Sequence, residues 1–239
     1  MACFRMPESL CQDINIMMVN FCWDQTKEET KLCWIAWRHL CGPKIQGVLG
    51  FKDINAFNMA FLAKQGWRIL NNPHSLLARV LKGKYFPFTS FLESHIGSNP
   101  SWGWKSIMSG RRVIEKGVRW QVSNWQSVLC KVDNWVPNCF PNPPKVKPQH
   151  DESVVWVKQL MNDSEPSWDI HQLKENFVEE DVNNILVIAI VIFRRDDQIT
   201  WHFTRHGKFV VRSGCFVAKD LLSSRDRVGT AGRGEQFSV

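Results

Sequence analysis

At Gly117 the apolar period of this chain changes from 3.6 residues to 2, and that switch limits the folds open to it. Before Gly117, apolar residues recur at helical spacing. One set is Leu10, Ile14, Met17, Met18 and Phe21, which predicts a core-facing stripe. A second is Ala56, Met59, Ala60, Ala63, Trp67 and Leu70; a third is Leu76, Leu77, Val80 and Leu81; a fourth is Trp104, Ile107, Met108 and Ile114. After Gly117, Val118, Trp120 and Val122 alternate with Arg119 and Gln121, the pattern of a half-buried strand. The expected class is α+β and mainly α-helical: N-terminal helices, then two small β-hairpins with intervening helices.

Local signals place the boundaries. Pro7 can open the first helix, and Asp53 is a natural N-cap for the helix that follows. A helix over 31–40, carrying Trp34 and Trp37, stops at Cys41, Gly42 and Pro43. Gly47, Gly50 and Phe51 form a connector that lacks the Gly-Lys-Ser/Thr ending of a phosphate-binding loop. Asn71, Asn72 and Pro73 end one helix, Phe86 and Pro87 end the next, and Asn99, Pro100 and Ser101 open another. The strand at 118–122 is expected to pair with 127–132 in a hairpin. Five prolines over 137–148 read as an extended linker. Residues 154–160 and 170–188 read as helices, the second interrupted at Glu179, Glu180 and Asp181. A second hairpin is expected from Ile199, Trp201 and Phe203, through a turn at Arg205, His206 and Gly207, to 208–211. Ser213 can cap a last helix ending near Leu222. The expected organisation is therefore an N-terminal helical segment (1–43), a basic helical region (44–117), a hairpin (118–136), a linker (137–148), a small α+β module (149–222) and a disordered tail (223–239).

The net charge of +7 is concentrated. Residues 44–119 hold twelve Lys/Arg against three Asp/Glu, whereas the segments on either side are each close to neutral. A localised basic surface is the footprint of a polyanionic partner; the alternative is a solvated helical face rich in lysine and arginine, and charge alone does not choose between them. Lys105, Arg112 and Lys116 fall at i, i+7 and i+11, one helical stripe, with Arg111 and Arg119 beside it. Arg79, Lys82 and Lys84 add charge on the preceding short helix.

Several chemistries are not expected. The longest purely apolar run, 185–193, has nine residues, against ~20 for a membrane span, so no membrane partner is expected. The eight cysteines include no C-x-x-C pair, and the N-terminus has no secretory pattern; reduced thiols in an intracellular protein, nuclear or cytoplasmic, are expected. No metal or cofactor is expected, since two close ligand pairs are missing. Asp196 and Asp197 invite a two-metal reading, but they read better as turn acids before a hairpin. His202 and His206 straddle a turn and read as solvated side chains. The tryptophans at 34, 37, 67, 104, 120 and 201 mostly occupy core positions.

The order of these elements resembles the region downstream of the polymerase palm in plant non-LTR (LINE-type) retrotransposon reverse transcriptases. The residues that carry the resemblance are Gly47, Gly50, Phe51 and Asp53, then Asn58 and the run Ala63, Lys64, Gln65, Gly66, Trp67, Arg68. It continues through Leu81, Lys82, Gly83, Lys84, Tyr85 and Phe86, through Asn99, Pro100 and Ser101, and through Trp104, Lys105, Gly110 and Arg111. Asp133, Asn134, Trp135, Val136 and Pro137 agree, as do Trp201, His202, Phe203 and Thr204, and Gly207, Lys208 and Phe209. Near the start, Cys3, Phe4, Arg5 and Pro7, with Cys22 and Trp23, also match. Two departures stand out. Ser123, Asn124 and Trp125 replace the family's Gly-Asp-Gly turn, and Lys131 stands where the family has tryptophan.

The resemblance implies a thumb and connector, upstream of a zinc-binding module. The aromatic-x-Asp-Asp motif of polymerisation is not among these residues, so neither polymerase nor ribonuclease H activity is expected. The implied partners are RNA or DNA and other parts of a retroelement polymerase. Two functions fit: a non-catalytic polymerase remnant that binds nucleic acid weakly, or an intracellular protein-interaction or scaffold module with no nucleic-acid role.

Overall fold

The computed structural model describes residues 3–23, 40–41, 50–162, 165–190 and 196–231, with backbone alone for 225–231. In chain order its elements are α1 (Glu8–Cys22), α2 (Ile54–Asn71), α3 (Leu76–Tyr85), α4 (Trp102–Glu115), β1 (Val118–Gln121), α5 (Ile170–Asn176), α6 (Glu179–Leu186), β2 (Gln198–Trp201) and α7 (Val211–Ala231). Short 3-10 turns lie at Pro137–Cys139 and Val157–Leu160. The class is α+β and mainly helical. The chain forms two compact units, one of Met1–Glu115 with Phe209–Val239, the other of Lys116–Lys208. The expected helix over 31–40 and most of the glycine connector at 47–51 lie outside the described residues.

In the first unit α2 is the central element and packs against both α4 and α7. It starts where Asp53 caps it, the carboxylate accepting the Ala56 N–H at 3.0 Å. Its small residues Ala56, Ala60 and Ala63 are fully buried, which lets the neighbouring helices come close. Gly110 of α4 sits directly on the backbone of Leu62 and Ala63; a Cβ there would lie 2.7 Å from the Leu62 carbonyl carbon. Trp104 is buried among aromatic rings, stacked on Tyr85 and Phe86 and meeting Phe91 edge-on. Ahead of α1 the chain is pinned: Arg5 N–H donates to Ser106 Oγ, and Asn58 exchanges hydrogen bonds with Met6 N–H and the Phe4 carbonyl.

The apolar stripe of α1 is only partly covered, with Ile14 and Met18 half-buried. Cys11 is its buried residue, whereas Leu10, Met17 and Phe21 are exposed, Phe21 by 88%. Helical spacing identifies a stripe but not what covers it. At the other end, α7 runs past Leu222 to Ala231, so the expected disordered tail is helical over its first turns. Residues 223–231 include Val228 and Ala231 and no proline, and the helix nucleated on Val217 and Ala218 runs on through them across Gly229.

In the second unit the expected hairpins are replaced by one two-stranded antiparallel sheet. β1 pairs with β2 in the register Val118↔Trp201, Arg119↔Thr200, Trp120↔Ile199 and Gln121↔Gln198. The strand at 118–121 is where the alternation places it, but its partner is 80 residues away rather than at 127–132. Both candidate partners are short and β-branched, and alternation alone cannot rank a local partner against a distant one. Gly117 precedes β1 because the Trp201 ring covers its Cα, leaving no room for a side chain. A core of Trp125, Val128, Trp135, Trp168, Leu173, Phe177, Val182 and Ile185 fills the rest. Trp168 meets Trp125 edge-on at 5.2 Å, and both the Trp135 and Trp168 indole N–H groups donate to carbonyls, of Cys130 and Ile188.

The proline-rich stretch is not a linker. Lys145 N–H donates to Asp181 Oδ2 at 2.7 Å, Val146 bridges to Phe177, and Lys147 N–H donates to the Asn176 carbonyl. Residues 145–147 are thereby held against α5 and α6, and Pro137 opens a 3-10 turn. The expected helix at 154–160 is reduced to the 3-10 turn, and the one at 170–188 breaks at Phe177 and Val178 to give α5 and α6.

Candidate nucleic-acid interface

Five exposed cations of the first unit stand on two short helices; Arg5, Lys52, Lys64, Arg68 and Arg212 are exposed elsewhere on it. Ser75 caps α3, its Oγ accepting the Ala78 N–H at 3.3 Å. Arg79, Lys82 and Lys84 are exposed on α3, the latter two in its last turn, where the helix dipole favours positive charge. Tyr85 then ties α3 to α4. Its ring lies on Trp104 at 4.7 Å with planes 1° apart, and its hydroxyl donates to Ser101 Oγ and accepts the Ser101 N–H, each at 3.0 Å. These bonds from Ser101 pull the Tyr85 hydroxyl below the ordinary tyrosine pKa.

On α4, Lys105 and Arg112 are exposed and two helical turns apart, about 10 Å along the axis. The other members of the expected stripe have different surroundings. Arg111 is half-buried: its Nη1 donates to the Ser94 carbonyl and its Nε pairs with Glu115 at 2.9 Å. That guanidinium holds a loop to a helix. Lys116 is exposed but lies one residue beyond the end of α4, and belongs to the second unit. Arg119 is half-buried on β1, its Nε without a hydrogen-bond partner, and burial lowers its pKa.

One residue escaped the sequence reading. Trp102, the first residue of α4, is 79% exposed, and Lys105 Nζ lies 5.8 Å from its ring centre. Its signal was available: an indole off the stripe of Trp104, Ile107, Met108 and Ile114, three residues before a lysine.

The paired carboxylates have another role. Asp197 is buried and accepts four backbone N–H groups: those of Ser123, Asn124 and Trp125 on Oδ1 at 2.6 to 3.0 Å, and that of Ser127 on Oδ2 at 2.9 Å. Both oxygens are thereby spent on shaping a loop. Asp196 is exposed and accepts from Asn124 Nδ2 at 3.2 Å. His202, expected in solvent, is half-buried and stacks on Phe140 at 3.7 Å; burial, then the nearby Arg119 charge, lowers its pKa. His206 is exposed. Among the described residues no group of three His, Cys, Asp or Glu side chains converges, and no helix is long and apolar enough to cross a membrane.

No model of a known protein family matches this chain, and no solved structure matches it. Two plant proteins do. One, provisionally named a ribonuclease H protein (At1g65750) of Arabidopsis thaliana, is 26% identical over 219 residues. That match covers 89% of the chain but only 35% of the relative. The other, the uncharacterized mitochondrial protein AtMg00310 of Arabidopsis thaliana, is 38% identical over 145 residues, 60% of this chain and 94% of the relative. With nearly the whole of that relative matched at this identity, the chain belongs to the same family as the mitochondrial protein AtMg00310.

Proposed function

We propose that this chain is derived from the connector of a retrotransposon reverse transcriptase and binds RNA or DNA weakly, without reading sequence and without chemistry of its own. The observation that carries the reading is the set of exposed cations Arg79, Lys82, Lys84, Lys105 and Arg112 on two helices joined through Tyr85 and Ser101. Cations on rigid helices can follow a phosphate backbone, and contacts to phosphate position a protein without selecting bases. The similarity to a longer plant protein named for ribonuclease H supports an origin in a nucleic-acid-processing element. The spending of both Asp197 oxygens on backbone N–H groups supports the absence of metal-dependent nucleotidyl transfer at that pair.

The test is binding of labelled oligonucleotides of unrelated sequence across a salt series. Affinity on the order of micromolar at physiological salt, independent of sequence and falling steeply as salt rises, is expected. Absence of binding even at low salt rejects the reading. A second reading, a protein-interaction module, is favoured by the exposed apolar face of α1, where Ile16, Met17 and Phe21 meet solvent.

A further inference from the structure

The cations set the charge of the partner; the aromatic among them says which form of nucleic acid fits. Trp102 presents most of its indole to water at the start of α4, a costly position for the largest apolar side chain. Its surroundings are fixed rather than loose. Ser101, the residue before it, is held by Tyr85 through two hydrogen bonds, and Tyr85 is itself stacked on the buried Trp104. Lys105 Nζ stands 5.8 Å from the Trp102 ring, and Lys84 Nζ stands 5.2 Å from the Tyr85 ring. Between Arg79 and Arg112 the sequence holds one acidic residue, Glu93, whose carboxylate accepts the Ser90 N–H. An apolar protein surface seated on Trp102 would have to bury these ammonium groups, whereas a polynucleotide strand pairs with them.

We propose that Trp102 is a stacking platform for an unpaired base, with Lys105 and Lys84 on the flanking phosphates, so that the chain prefers single-stranded to duplex nucleic acid. The two components answer to different parts of one ligand. An indole face takes the π-face of any base, which keeps binding sequence-tolerant, but that face is accessible only where the base has left a helical stack. The ammonium groups take the backbone of either form. This inference rests on the nucleic-acid reading above and narrows it to one strand state.

The experiment measures fluorescence anisotropy of a labelled oligothymidylate and of a labelled duplex of equal length, at low and at physiological salt, with the full chain. The wild type is expected to bind the single strand more tightly. Trp102→Ala is expected to weaken single-strand binding about tenfold and to leave duplex binding unchanged. Trp102→Phe, which keeps a ring, is expected to retain most of the affinity, and Lys105→Gln to weaken both forms alike. Circular dichroism and the melting temperature of the Trp102 variants are expected to match wild type, since the side chain is exposed. If the wild type binds both forms but Trp102→Ala changes neither or both equally, or if the duplex is preferred, the stacking proposal is overturned while the general nucleic-acid reading stands. If the wild type binds neither form, both are overturned.

Discussion

The backbone N–H of Trp125 donates to the Asp197 carboxylate at 3.0 Å across 72 residues of chain, and Trp125 is held there at φ 65°. This is the left-handed region, which residues with a side chain rarely adopt. The turn holds a tryptophan there because Asp197 gathers the amides on both sides of it.

Asp197→Asn turns one acceptor oxygen into a donor facing backbone N–H groups. Loss of about 2 to 4 kcal/mol is expected from burying unsatisfied donors. Urea unfolding reads it directly. Asp196→Ala, at an exposed residue, is expected to stay within about 0.5 kcal/mol of wild type. Equal effects from the two substitutions would mean that the Asp197 network is not what organises the loop.

Trp125→Gly sets two effects against each other. Glycine relieves about 1 to 2 kcal/mol of left-handed strain, but removing a buried indole packed on Trp168 costs about 3 to 5 kcal/mol. Packing wins. The variant is expected to be less stable by about 2 to 3 kcal/mol, and a melting temperature at or above wild type would contradict the assignment of Trp125 to the core.

Gly110→Ala is expected to cost at least about 1 to 3 kcal/mol, because its methyl group meets backbone atoms of Leu62 and Ala63 that cannot swing aside. Gly83→Ala, in the open on α3, is the internal control, and a gain of about 0.5 to 1 kcal/mol is expected from helix propensity. Thermal denaturation of the pair checks both signs.

If the exposed cations of α4 contact phosphate, the double variant Lys105→Gln with Arg112→Gln is expected to make the salt dependence of binding shallower by about 2 units. Its stability is expected to change by less than about 1 kcal/mol. Arg111→Gln is expected to do the reverse. It gives up the Ser94 carbonyl and the Glu115 pair, at a cost of about 1 kcal/mol, with little effect on binding. A steeper loss of binding from Arg111→Gln than from the double variant would overturn this division.

His202 contributes a pH dependence with a definite sign. Burial and the Arg119 charge lower its folded pKa, so the unfolded chain takes up the proton first. Above the unfolded value of about 6.5 the group has no effect; stability falls as pH drops through that value, and the loss is complete below the folded value. His202→Phe preserves the ring on Phe140 and removes the proton. Melting temperatures from about pH 8 to about pH 5 are expected to fall less steeply for the variant than for wild type. Parallel curves would mean that His202 titrates alike in both states.

What could be read before the structure depended on whether a signal was local. Asp53 names the start of α2 because capping needs only the three residues that follow, and Ser101 marks the start of α4 for the same reason. The strand at Val118 was legible from its alternation. Its pairing with β2 was not, because a partner 80 residues away leaves no mark on a short alternating run. Proline content suggested a linker at 137–148, yet the amides of Lys145 and Lys147 find partners in α5 and α6. Composition reports stiffness, not contacts. Among the candidate site residues, charge was legible and availability was not. Only Glu115, four residues on, marks Arg111 apart from the exposed Arg112 in the sequence; the Ser94 carbonyl that also engages it leaves no local signal. An indole is by default a core residue, and for Trp102 only its exposure argues otherwise.

The pairing of Val118 with Trp201 has a consequence for how such a chain can be rearranged. The second unit enters through β1 and leaves through β2, and these strands lie side by side in antiparallel register, with His202 N–H donating to the Gly117 carbonyl at 2.9 Å. Its two ends are clasped by its own hydrogen bonds. A segment closed in this way can be grafted as a cassette into another loop without the junction cutting through its core.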